Sequence, residues 1–216
     1  VYSGGGTYGT TGSEDWGFNN RDLNGRARCD IDEFNLENNL YNGNDAVYGN
    51  TLANVGFEES INMSGSVFDV ANCQEEQVNA AWVYVEPEAE VELENIESNQ
   101  CAITGNTAYV NPNINAECTE EGCGTSADNP FKTLTWALSM IMPSETNHTT
   151  IYLANGAYTP ETGEAFPIVL PSYVTLQGED EEFTILDAMQ SSRVVDIQNN
   201  DISGYSNNNT ISDLTI

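Results

Sequence analysis

The chain predicts an all-β fold, a parallel β-solenoid entered through one amphipathic helix and preceded by a β-rich region. Three observations carry this expectation. Apolar and polar residues alternate from about 46 to 110, a helical stripe occupies 130–143, and beyond it short apolar strands recur before polar turns.

Residues 1 to about 45 are rich in Gly, Asn and Asp, as in "YSGGGTYGTTG", and read as loops and short strands. The triple glycine is followed by no G-K-[ST] and no helical pattern, so it does not read as a phosphate cradle. From 46 to 110, "SVFDV", "AAWVYV", "EVELENI" and "TAYV" have the period of a half-buried strand. Within "VEPEAEVELE", Glu86, Glu88, Glu90, Glu92 and Glu94 fall at every second position, with Pro87 turning the chain near the start. From Glu90 onward these carboxylates share one face, about 7 Å apart, with Val91 and Leu93 on the other. A solvated outer face explains the row; a hard cation such as calcium is the ligand it would otherwise suit, through Glu90, Glu92 and Glu94. "DIDEFNLEN" places Asp30 and Asp32 in a loose likeness of a calcium loop, without the glycine and final glutamate of an EF-hand. No other cofactor is expected.

A turn-rich connector, 108–129, divides the N-terminal β-rich region, 1–107, from the solenoid, 130–216. At the solenoid's start Asn129 suits an N-cap and Pro130 a first helical residue, while Pro143 ends the run. Phe131, Leu134, Leu138 and Ile141 recur at steps of three and four, with Ala137 and Met142 widening the stripe and Lys132, Thr133, Thr135 and Ser139 outside it. Beyond the helix, "TIYLANGAY", "YVTLQGEDEE", "RVVDIQNND" and "ISDLTI" align Leu153, Leu176, Ile197 and Ile216 at steps of 23, 21 and 19 residues. Coils of that length bury their inward residues only by stacking in parallel.

Acidic residues number 34 against 5 basic ones, a formal charge of -29. Nucleic acid and anionic membranes would be repelled, and no run of about 18 apolar residues is present to span a bilayer. The five cysteines, Cys29, Cys73, Cys101, Cys118 and Cys123, lack paired C-x-x-C spacing and read as disulfide partners outside the cytoplasm. Cys73 is expected to pair with Cys101. Cys118 and Cys123 either close a small loop around "TEEG" or reach elsewhere, and one cysteine is left free or joined to another chain. Val1 in place of Met suggests a processed or excerpted chain.

The run "GTSADNPFKTLTWALSM", then "TIYLANGAYTPETGEAFPIVLPSYVTLQGEDEEFTILDA", resembles the start of a family of uncharacterised secreted bacterial proteins with a pectin-lyase-like, right-handed parallel β-helix. The likeness covers about 108–216 and rests on its N-P-F-K-T-L, G-x-Y, F-P-I and V-T-L-Q-G-E elements together. It implies an N-terminal cap helix shielding the first coil. Because "SDLTI" stops on an apolar strand with no polar capping segment after it, the chain is expected to continue past 216. Failing continuation, another subunit would stack on the uncapped C-terminal coil and build a filament.

Polysaccharide-active enzymes use this fold, and their sites need a base together with calcium or paired carboxylates. In the solenoid the cations are Lys132 and Arg193; Asp187, Arg193 and Asp196 could meet on neighbouring coils, but an ion pair or solvated side chains account for them. His148 lies in a polar loop without a nucleophile motif, and Asn62, Asn147 and Asn208 begin N-x-[ST] sequons. No catalytic constellation stands out. The expectation is an extracellular or cell-surface protein serving structure or adhesion, touching polysaccharide or another surface component. Its alternatives are a carbohydrate-active enzyme with catalytic coils beyond 216 and a subunit of a self-assembling filament.

Overall fold

The computed structural model describes residues 33–42, 51–54, 59–73, 77–78, 83–84, 90–118, 122–197 and 208–216. It is a parallel β-solenoid of about five turns. The described residues of the N-terminal region, whose fold the sequence left open, already stack as coils. Strands β1 (Glu33–Asn35), β2 (Leu40–Tyr41), β3 (Leu52–Ala53), β4 (Ser60–Asn62), β5 (Val67–Asn72), β6 (Gln77–Val78), β7 (Val83–Tyr84), β8 (Val91–Glu92) and β9 (Glu97–Cys101) form the ladders β1-β4-β8, β2-β5-β9 and β3-β7. These are parallel; the short β5–β6 pair is antiparallel.

Phe34, Ile61 and Val91 lie one above another at steps of 27 and 30 residues. The turn after them repeats too, since Asn38, Gly65 and Asn95 all take positive φ, 57°, 68° and 56°. Only glycine or a short polar residue enters that region cheaply, so the turn chemistry sets where each coil bends. Ile61, Met63, Phe68 and Val83 form the core of this part.

The second part contains β10 (Thr107–Val110), α1 (Leu134–Met140), β11 (Thr149–Leu153), β12 (Gly156–Tyr158), β13 (Ile168–Leu170), β14 (Val174–Gly178), β15 (Thr184–Leu186), β16 (Val195–Ile197) and β17 (Thr210–Ser212). Its ladders are β10-β11-β14-β17, β12-β15 and β13-β16, all parallel. The true register corrects the alignment of Leu153, Leu176, Ile197 and Ile216. Leu176 stacks between Ile151 and Ile211, Leu153 stacks on Gly178, and Ile197 stacks on Leu170 in a different sheet. Each coil carries similar short apolar strands on several faces, so the eye pairs strands from different sheets and shortens the period.

The helix also starts later than expected. Phe131 is extended: its N–H donates to the Tyr109 carbonyl at 2.8 Å and its own carbonyl accepts from Asn111 N–H at 2.8 Å, a parallel bridge on the edge of β10 away from β11. The free edge of the first strand recruits the backbone around Pro130 before it can turn helical. Thr133, rather than Asn129, is the N-cap, its hydroxyl accepting the Trp136 N–H at 3.2 Å. The apolar stripe is buried as expected, with Phe131, Leu134, Ala137 and Ile141 fully enclosed, but Ser139 is buried as well. Leu134 and Leu138 belong to one cluster that holds Val70 and Ala102 from the preceding coils and Ile151, Leu170 and Leu176 from the following ones. The helix thus sits between two stacks, and the Met140 carbonyl accepts from Ile103 N–H at 2.9 Å. Among the described residues no helix is long and apolar enough to cross a membrane.

Candidate functional site

The longest ladder, β10-β11-β14-β17, organises its side chains into rows. Ala108, Ile151, Leu176 and Ile211 point inward in register, as do Val110, Leu153 and Gly178. With a side-chain period of two, the intervening residues must point out. They form one row of Thr107, Thr150, Thr175 and Thr210, and a second of Tyr109, Tyr152, Gln177 and Ser212. Threonine suits such a position because its β-branch packs on the pleated sheet and leaves a hydroxyl to solvent.

The second row is braced from within. The rings of Tyr109 and Tyr152 stack with centroids 5.2 Å apart and planes at 21°. Ser212 donates its hydroxyl to the Gln177 carbonyl oxygen at 2.8 Å, and the Gln177 amide nitrogen donates to Asp213. At the N-terminal rim the rings of His148 and Tyr173 lie 5.1 Å apart, tilted by 58°. All eight ladder residues are uncharged, in a chain of formal charge -29.

The residues singled out from sequence are scattered. Glu90, Glu92 and Glu94 are exposed and alternate with half-buried Val91 and Leu93, as expected of an outer face. Glu92 accepts from the Ser60 hydroxyl at 2.8 Å. Asp30 and Asp32 lie outside the described residues, as does Cys29. Among the described residues no three His, Cys, Asp or Glu side chains are grouped to hold a metal. Cys73 bonds to Cys101 and Cys118 to Cys123. Arg193 pairs with Asp196 at 3.6 Å, whereas Asp187 accepts the Met189 N–H at 2.7 Å in its own turn.

Two glutamates that the sequence reading passed over hold the helix. Glu117 accepts from the Lys132 N–H at 2.8 Å, the Thr133 N–H at 3.1 Å and the Thr133 hydroxyl at 2.8 Å. Glu164 accepts from the Leu134 N–H at 2.7 Å, the Thr135 N–H at 2.9 Å and the Thr135 hydroxyl at 2.8 Å. Together with the Thr133 cap they satisfy donors that a helix start leaves without internal partners. Burial pushes the Glu164 carboxyl above its ordinary range; the hydrogen bonds from Thr135 and Leu134 pull the other way, and the nearby Glu117 adds to the rise. Tyr158 is also enclosed, its hydroxyl 2.9 Å from the Ala154 carbonyl and 3.2 Å from that of Val110, and burial raises its pKa.

Residues 117–183 match a family described as protein of unknown function, DUF1565. That family is associated with parallel β-helix proteins, in accord with the ladders. No curated protein and no solved structure matches the chain. The DUF1565 segment opens on Glu117 and includes α1, β11, β14 and Glu164, so it spans the helix clamp and the middle of the threonine row.

Proposed function

We propose that this chain is an extracellular or cell-surface solenoid of pectin-lyase-like architecture that serves structure or adhesion by contacting polysaccharide. One observation carries the reading: four parallel strands present hydroxyl, phenol and amide groups in register, row upon row, over an inward face that is apolar except for the buried Thr149. A solenoid repeats its surface with every coil, and a polysaccharide repeats its rings with every linkage, so the two periodic objects can meet at several points at once. The disulfides Cys73–Cys101 and Cys118–Cys123 are compatible with an oxidising compartment.

Affinity electrophoresis through gels containing soluble acidic and neutral glycans tests this. Retardation by at least one polysaccharide, with no reducing ends, unsaturated products or methanol released, is the expected outcome. Migration unchanged in every gel would sink the binding role, and product release would replace it with catalysis.

A further inference from the structure

We propose that the β10-β11-β14-β17 face takes an uncharged, extended glycan whose chain runs along the solenoid axis, across the strands and over the threonine row. This deepens the reading that the protein contacts polysaccharide and rests on it.

Charge selects the class of ligand. Thr107, Thr150, Thr175, Thr210, Tyr109, Tyr152, Gln177 and Ser212 carry none, while the chain as a whole holds 34 acidic residues. Exposed Glu179 and Asp213 flank the C-terminal rim of the face, and no lysine or arginine stands in either row. A uronate or sulfated chain would meet only repulsion here, whereas a neutral sugar meets groups that can donate and accept.

Register selects the direction. Neighbouring strands lie about 4.8 Å apart, so a hydroxyl recurs at close to the length of one sugar ring along the axis. Along a single strand the outward residues change from threonine to tyrosine, glutamine or serine, and no such repetition exists. Aromatic pairs border the threonine row on both sides, Tyr109–Tyr152 towards the strand ends and His148–Tyr173 towards their starts. Rings give a sugar broad apolar contact at little cost in side-chain entropy, and here they are already braced against each other. Gln177 is fixed in the same way between Ser212 and Asp213.

The test uses the full chain and two soluble neutral probes, mixed-linkage β-glucan and galactomannan, beside polygalacturonate and alginate, titrated in 20 and 200 mM NaCl. The Thr150→Val/Thr175→Val double variant keeps the β-branched shape and removes two hydroxyls; Tyr152→Ala removes an exposed ring; Glu182→Gln, away from the rows, is the control. At least one neutral probe should bind equally at both salt concentrations, and the double variant and Tyr152→Ala should each weaken it by roughly tenfold. Circular dichroism melts establish that each variant is folded. Binding to polyuronates only, or neutral binding that both folded variants retain in full, overturns the assignment while leaving the broader polysaccharide reading intact. No binding to any of the four overturns both.

Discussion

Glu164 and Leu134, separated by thirty residues, meet at 2.7 Å where the first N–H of the helix enters the carboxylate. The same side chain takes two further hydrogen bonds from Thr135 while only 5% exposed. Replacing it by alanine strands buried donors, and hydrogen bonds to charged groups carry more than neutral ones. Glu164→Ala should therefore lower stability by about 3 kcal/mol. Urea denaturation is the measurement, and a loss under about 1 kcal/mol would show that water replaces the clamp.

The same residue has a pH signature. Burial raises the folded-state pKa of Glu164 above its ordinary value of 4.5. The folded chain then holds a proton that the unfolded chain has released, so this contribution is complete below the ordinary value and is lost as pH rises through the folded-state value. Glu164→Gln cannot titrate. Its stability deficit relative to the parent should be larger at pH 4 than at pH 7, measured by denaturation at both; a deficit that grows with pH would reverse the sign assigned to burial.

How much of this was legible in the sequence depends on the distance over which each feature is encoded. Alternation in "SVFDV" and "TAYV" announced β5 and β10 because strand periodicity is local. The Cys73–Cys101 pairing was readable too, and the residues of the helical stripe proved buried apart from the half-buried Met142. The helix start was misplaced since Asn129-Pro130 is a sound local signal that a distant strand edge overrides through Phe131. Glu117 and Glu164 gave no cue because their partners lie 15 to 30 residues away. Thr107, Thr150, Thr175 and Thr210 are unremarkable singly and become a row only once the uneven steps of 43, 25 and 35 residues are known.

The two disulfides close loops of different length, 28 and 5 residues of separation. In the chain-entropy account the longer restrains the unfolded state more, by about 3.5 against about 2 kcal/mol. Cys73→Ser/Cys101→Ser should melt below Cys118→Ser/Cys123→Ser. Equal melting temperatures would show that strain or residual structure outweighs loop length.

Leu134 and Leu138 share their cluster with Val70 and Ala102 on one side and Leu170 and Leu176 on the other. An aspartate there is a buried unpaired charge, costing about 4 kcal/mol or more. Leu138→Asp should raise protease sensitivity in both stacks of coils, read by mapping cleavage sites. Cleavage confined to residues after 143 would mean that the N-terminal coils hold together independently.

Tyr152 is 40% exposed and lies at the centre of the uncharged face, which makes it a direct reporter. Nitration of Tyr152, quantified by peptide mass spectrometry with and without saturating neutral glycan, should fall severalfold on binding. Full nitration of Tyr152 in the presence of a glycan shown to be bound would contradict the account.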